Sequence, residues 1–424
     1  MSKEQIISAI DIGTTKIVAI ICRQNEDGKF DVLGLGQAPS SGVKRGVVVH
    51  IDDTTKAIET ARKQAETQAN VKMQEVYVGV AGQHIKSMKN RNHKYIDSGE
   101  ISQADVDYLT DQMHKTPVDP GEEILHVIPQ SYIVDQEEDV PRPVGMSGRM
   151  LESNFHLVIG KVASANNIKK CVTRAGLEIK KLILEPLASS AAVLTPDEIE
   201  AGVALVDIGG GTTDVAVFHD KVVWHTAVIP FGGNVITNDI KEGCSILQRH
   251  AEALKTQFGS TMGDTAPAEK VVTIPGISGR DPREISFKNL AYIIQARMDE
   301  ILDAVMFEIE NSGYQDKLSA GLVITGGGSM LKDLKQLIKF KTGYDVRIGH
   351  PNRMMVPDIA DEVNHPKYAT SIGLSIKGVE TGTTQAKTFF GTTNIGASLG
   401  LGKKVKATWT KFFSEEGDTF NKTV

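Results

Sequence analysis

The stretch Val203–His219, VALVDIGGGTTDVAVFH, decides the fold. An apolar run ends in Asp207, and three glycines follow, Gly209, Gly210 and Gly211. Thr212, Thr213 and Asp214 come next, and a second apolar run begins. The pattern predicts a strand, a tight turn and a second strand. Glycines let backbone N–H groups approach a phosphate closely, and the threonine hydroxyls add donors. Asp207, at a strand end beside that turn, is placed to hold a hydrated Mg²⁺, an ion that gives up its water reluctantly. Gly-rich turns also close ordinary hairpins. Alone, the stretch reads either as a phosphate loop or as a plain hairpin.

It does not stand alone. Ile6–Ile20, IISAIDIGTTKIVAI, has the same layout: an apolar run, Asp11, then Gly13, Thr14 and Thr15, with Lys16 opening the next strand. A third glycine cluster follows an apolar run at Leu322–Leu331, LVITGGGSML, and leads into a helix-like segment. Two similar hairpins in successive halves predict two related lobes closing on one nucleotide. On these motifs the chain resembles the actin-like ATPase superfamily of actin, chaperone ATPase domains, sugar kinases and bacterial filament proteins. The resemblance implies an α/β, actin-like (ribonuclease H-like) two-lobed ATPase fold with ATP and Mg²⁺ as ligands.

The 424 residues suffice for two to four units with a buried core. A net charge of -6 argues against nucleic acid as the main partner. The three cysteines, Cys22, Cys171 and Cys244, form no CxxC pair and read as thiols in a reducing compartment. MSKEQ runs straight into a strand, so no signal peptide is expected. No apolar stretch reaches the roughly 18–20 residues of a membrane span.

Taken in order, residues 1–82 and 163–200 are expected to form the first nucleotide lobe, and 201–243 with 318–378 the second. A helix is predicted from Thr54 to Ala69, capped by Asp52 or Asp53. Residues 83–162 are polar in texture and read as an inserted small α+β domain, and 244–317 as a small subdomain of the second lobe. Lys367–Lys377 is the last predicted helix, followed by a Thr- and Gly-rich linker over 379–400 and a tail over 401–424.

The position of the insertion, and the phrases HVIPQSYIVD (126–135), PVGMSGRMLE (143–152), ILEPLASSAAVL (183–194), VIPFGGNVITNDI (228–240) and HPKYATSIGLSIKG (365–378), resemble the FtsA family of bacterial cell division proteins. One departure is the acidic loop QEEDVPR, residues 136–142.

The resemblance distributes roles across the cleft. Lys16 is expected on the β/γ-phosphates, with a solvated edge-strand lysine as the alternative. Asp11 and Asp207 would hold Mg²⁺ largely through water. Glu185 falls where the superfamily positions the attacking water, or it is a helix-end charge favoured by the dipole. Glu252 and Lys255 match the E-x-x-K that flanks adenosine in related chaperones, or they are a surface ion pair. Gly232, Gly233, Gly326, Gly327 and Gly328 are expected to bring backbone close to the nucleotide, and Ser329 to meet the base. In this family the second small subdomain takes the C-terminal tail of FtsZ. Arg297 is the candidate for that acidic partner, with a solvated arginine as the alternative, and Arg280 is a weaker one.

Lys403–Phe413, KKVKATWTKFF, carries Val405, Trp409, Phe412 and Phe413 on one helical face. Lys403, Lys404 and Lys411 face away, with Lys406 on the flank. Aromatic residues opposite lysines mark a helix lying in an anionic membrane surface, and a terminal helix docked on its own domain is the alternative. Acidic Glu415, Glu416 and Asp418 follow, which is unusual for such an anchor. The resemblance thus implies a peripheral protein at the cytoplasmic face of the membrane at the division site. It would polymerise with itself, tether FtsZ, meet later divisome proteins, and turn ATP over weakly or conditionally. The rival expectations are a PilM-like pilus-assembly adaptor and a small-molecule kinase of the same superfamily.

Overall fold

Two five-stranded sheets with one topology organise the chain. In the first the order is Phe30–Pro39, Lys16–Gln24, Gln5–Ile12, Glu75–Val80, Glu178–Leu184. In the second it is Val222–Ile229, Thr213–His219, Val203–Ile208, Leu322–Thr325, Val346–Ile348. In each, three antiparallel strands continue into two parallel ones. The computed structural model describes residues 5–276, 281–356 and 361–390, so Arg280 and the tail residues 401–424 lie outside the described residues. Residues Met1–Thr381 form one compact unit, and Gly382–Val424 is assigned to another.

Strand alternation sends each sheet's side chains into two cores. Ile7 and Ala9 of the first sheet, and Val203 and Leu205 of the second, enter one shared core. Between them it holds Ala188 and Ala192 of helix Glu185–Val193 and Ile372 and Ile376 of helix Ala369–Phe390. On the outer face of the first sheet, Ile10, Ile12 and Ile17 meet Ile58, Ala61 and Ala65 of helix Ile51–Ala69. On the outer face of the second, Val206 and Val215 meet helix Phe287–Ser312. That helix buries Leu290, Ile294, Met298, Ile301, Val305 and Ile309, the apolar stripe of an amphipathic helix.

The polar segment after Gly82 builds its own four-stranded sheet, in the order Lys86–Tyr95, Met150–Lys161, Glu122–Val134, Glu137–Val140. Helix Gln103–Met113 covers it, burying Val106, Leu109 and Met113 beside Phe155 and Leu157. Strand Lys86–Tyr95, KSMKNRNHKY, carries no apolar alternation because it is an edge strand none of whose residues is fully buried.

Two expectations about helices need correcting. Helix Ile51–Ala69 starts before Thr54, and His50 is its N-cap, with Asp52 and Asp53 in the first turn. There they favour the helix through its dipole without capping it. The last helix does not stop at Lys377 but runs Ala369–Phe390, through half of the expected linker. No proline interrupts it, and a helix already nucleated against a core extends at little cost.

Helices Glu185–Val193 and Ala369–Phe390 cross with their backbones touching: a Cβ on Gly373 would lie 1.8 Å from the Ala188 carbonyl oxygen. Gly373→Ala is therefore expected to lower the unfolding free energy by roughly 1–3 kcal/mol, read as a lower midpoint in chemical denaturation. An unchanged midpoint would mean that the crossing relaxes freely.

Candidate functional site

The shared topology brings the ends of strands Gln5–Ile12 and Val203–Ile208 to the same crevice, at the carboxyl ends of the parallel strands, where open α/β sheets bind ligands. A cavity of about 570 Å³ opens there, within the range of small-molecule and cofactor sites. The two hairpin tips interlock at its floor. A Cβ on Gly210 would sit 1.9 Å from Thr15 Oγ1, and one on Gly211 would sit 2.3 Å from Thr14 Oγ1. The Gly233 and Asn234 N–H groups donate to the Gly209 and Gly210 carbonyls at 2.9 and 2.8 Å, fixing the start of helix Gly233–Cys244 against the second tip.

Of the carboxyl groups that line this cavity, Asp11, Glu185, Asp207 and Asp214 cluster at the hairpin end. The antiparallel register of the second hairpin sets Asp207 directly opposite Asp214, a like-charge cross-strand pair that disfavours the ladder. Burial pushes the Asp11 carboxyl up to about 6, against the pull of Lys16 and with a further push from Asp207. Burial, then the charges of Asp11, Asp214 and Asp207, holds Glu185 well above the usual carboxylate range. Burial, with Asp207 and Asp11 adding to it, does the same to Asp214, whose Oδ1 is buried without a hydrogen-bond partner. Asp207 is also raised by burial, but two hydroxyls oppose the shift. Ser189 Oγ donates to its Oδ2 at 2.6 Å and Thr370 Oγ1 at 3.2 Å, one from each crossing helix.

Lys16 lies on an inner strand, not an edge, which removes the solvated reading. Its Nζ donates to the Lys367 carbonyl at 2.7 Å and sits 4.3 Å from the Tyr368 ring centroid. Burial lowers its pKa to about 8, partly offset by Asp11. Set against this lysine and Lys367, the four acids would carry excess negative charge if all were ionised, and a cation beside the Asp214 oxygen would offset it. Among the described residues no three acid, imidazole or thiolate side chains converge as direct ligands. The donor set therefore suits a hydrated divalent cation held through its waters.

Glu252 and Lys255 line the same cavity. Lys255 is buried, and its Nζ donates to the Gly233 carbonyl (3.0 Å), Thr237 Oγ1 (2.8 Å) and Glu252 Oε2 (2.8 Å). The pair is thus a tie between helices Gly233–Cys244 and Gln248–Phe258, more than a surface ion pair. Gly13, Thr14, Thr15, Gly209 to Thr212, Gly233 and Gly326 to Gly328 also line the cavity.

Three expected contacts are turned away from it. Thr213 Oγ1 donates to the Phe231 carbonyl at 2.9 Å, and Ser329 Oγ donates back to the Gly326 carbonyl at 2.8 Å. Gly232 packs behind the second tip against the Gly209 and Thr212 carbonyls. Arg297 lies elsewhere, on helix Phe287–Ser312, and is not a free cation. Its guanidinium donates to Asp239 at 2.5 and 3.0 Å and to Glu300 at 2.5 Å.

Asp214 is the site residue that the sequence reading left without a role. Its signal was available: two acids flanking a tight Gly-Thr turn must meet across the ladder. In the first hairpin the residue opposite Asp11 is Val18.

Known families match this chain over most of its length. The model of cell division protein FtsA matches residues 204–373, and that of the SHS2 domain inserted in FtsA matches 82–159. The cell division protein FtsA of Pseudomonas aeruginosa is 39% identical over 89% of this chain and 90% of its own length. That of Escherichia coli is 35% identical over 89% and 91%. The chain belongs to the FtsA family of cell division proteins. As an FtsA-family chain it is a cell division protein, and the expectations of a pilus adaptor or a small-molecule kinase give way. Among solved structures, a PilM-PilN type IV pilus biogenesis complex aligns with a TM-score of 0.63 at 14% identity, over 88% of this chain and 98% of that one. MreB5 of Spiroplasma citri bound to ADP aligns with a TM-score of 0.55 at 14% identity, over 91% and 98%. At such identities these two establish the actin-like fold alone.

The carboxylate cluster makes stability depend on pH in a defined direction. A carboxyl whose folded pKa lies near 6, above its ordinary 3.8, favours the folded chain at low pH. That contribution is lost as pH rises through about 6. In ligand-free protein, Asp214→Asn is expected to raise the thermal midpoint at about pH 7.5 and to raise it less at about pH 5. Equal shifts at both pH values would assign the effect to packing.

Proposed function

We propose that the cleft binds ATP with Mg²⁺, that ATP-bound chains polymerise, and that the filament ties FtsZ to the cytoplasmic face of the membrane at the division site. The observation that carries the nucleotide reading is the cluster of four carboxyl groups, three of them buried, beneath two interlocked Gly-Thr tips. A phosphate chain would lie across the tips, on the N–H groups of Gly13 to Thr15 and Gly209 to Thr212, with Lys16 released from the Lys367 carbonyl to meet it. Asp11, Asp207 and Asp214 would hold Mg²⁺ through water, and the ion would neutralise charge on both phosphate and protein. Glu185, whose carboxyl burial holds above its usual range, would accept a hydrogen bond from the attacking water once the cation lowers its pKa. Glu252 and Lys255 would border the nucleoside end.

Attachment rests on the tail sequence. A helix burying Val405, Trp409, Phe412 and Phe413 holds lipid weakly, much as one acyl chain is marginal on its own. A filament offers many such helices, and avidity can raise attachment by about 10²–10⁴ without a new contact. Vesicle co-sedimentation of the full chain and of residues 1–390, with and without ATP and Mg²⁺ and with FtsZ added, tests this. Only the full chain is expected to pellet with anionic vesicles and to bring FtsZ down. If both stay in solution and FtsZ is ignored, the tether reading is wrong. The cut follows Phe390 so as to leave helix Ala369–Phe390 whole.

The FtsZ tail is proposed to bind the subdomain 244–317, and later divisome proteins the inserted domain. At Arg297 an acidic tail would replace Glu300, whose side chain is 63% exposed, while Asp239 keeps the guanidinium aimed. Arg297→Ala is expected to weaken binding of an FtsZ tail peptide about tenfold in fluorescence anisotropy. Unchanged affinity would confine Arg297 to its internal pairs.

A further inference from the structure

The inserted domain makes polar contact with both lobes. Strand Glu122–Val134 places His126 and Gln130 four residues apart, on one face. His126 Nε2 accepts the Leu184 N–H at 3.0 Å. Leu184 ends the edge strand Glu178–Leu184 of the first sheet, and the next residue is Glu185. Accepting that bond requires an unprotonated Nε2. Burial, reinforced by Lys181, His114 and Lys377, keeps the imidazole neutral by pushing its pKa down to about 4.

Gln130 reaches the other lobe. It is buried, and its Nε2 donates to the Val223 and Trp224 carbonyls at 2.8 and 3.1 Å. These carbonyls belong to strand Val222–Ile229, the edge of the second sheet, where the ladder register shifts and leaves Trp224 unpaired. Two further strands of the insertion grip the same edge strand. His156 Nε2 lies 2.8 Å from Thr226 Oγ1, and Ser87 Oγ donates to the Thr226 carbonyl at 3.0 Å. Among the described residues none of the inserted sheet lines the cavity between the hairpins.

We propose that the inserted domain is a bridge between the two lobes, with His126 as a positioning residue for the Leu184–Glu185 corner and Gln130 as the hold on the second lobe. A change in the angle between lobes is thereby passed to the inserted domain. The proposal rests on the nucleotide reading of the cleft. If ATP alters the lobe angle, one anchor must stretch or the domain must move with it.

Hydrogen–deuterium exchange on the full chain, with and without ATP and Mg²⁺, separates the two ideas. Binding is expected to protect both hairpins and also to change uptake in residues 122–134 and 222–229 at least twofold. His126→Leu and Gln130→Leu are expected to abolish the response of 122–134 while hairpin protection persists. His126→Gln, which keeps an acceptor, should retain that response and guards against a variant that fails to fold. Hairpin protection with no change in 122–134 in the unmodified chain would overturn the bridge. So would a response that survives both leucine variants. Absence of hairpin protection would instead overturn the nucleotide reading, and the bridge with it.

Discussion

The constraint on which the rest depends is the meeting of Asp207 and Asp214 across one rung of a hairpin. The ladder cannot avoid it, because the tight turn between them fixes the register. Asp11 arrives from the other lobe and Glu185 from the helix that crosses between lobes; Asp11, Asp207 and Asp214 are buried and Glu185 is half-buried. At an effective dielectric of about 20, unit charges about 4 Å apart interact by roughly 4 kcal/mol. A cluster of this kind persists only if protons or a cation share it. The hydroxyls of Ser189 and Thr370 soften the burden at Asp207 and leave Asp214 to be satisfied from the cavity.

That strain has a use. A site whose empty form is raised in energy by like charge gains more from a cation than a neutral cradle would, and the gain depends on both lobes staying close. Because Asp11 and Asp207 sit on different sheets, neutralising them together favours the closed cleft. The helices that cross between the lobes meet backbone on backbone at Gly373 and Ala188, so a side chain there would push the crossing apart.

Much of this was legible in the sequence, because the two hairpins are written as near-copies and because strands buried on both faces read as apolar runs. The repeat predicts two lobes, and the observed sheets share one strand order. What stayed hidden depends on direction and on distant partners. Thr213 and Ser329 occupy the right turns, but backbone geometry turns their hydroxyls toward nearby carbonyls. Arg297 looked free because Asp239, which holds it, is 58 residues away in sequence. Strand Lys86–Tyr95 escaped notice because an exposed edge strand needs no apolar face.

The inserted domain shows how a fold requirement and a signalling part can coincide. Open sheet edges invite unwanted pairing and are usually covered, and here one small sheet bonds to an edge strand of each main sheet. The strength of the cover matters. Its five hydrogen bonds to the lobes, at about 0.5–1.5 kcal/mol each, total roughly 2.5–7.5 kcal/mol. Inverting a two-state equilibrium from about 1:99 to 99:1 takes about 5.5 kcal/mol of differential binding. The bridge is therefore strong enough to hold the insertion in register with the lobes. It is also weak enough for a tightly bound, charge-neutralising ligand to move it.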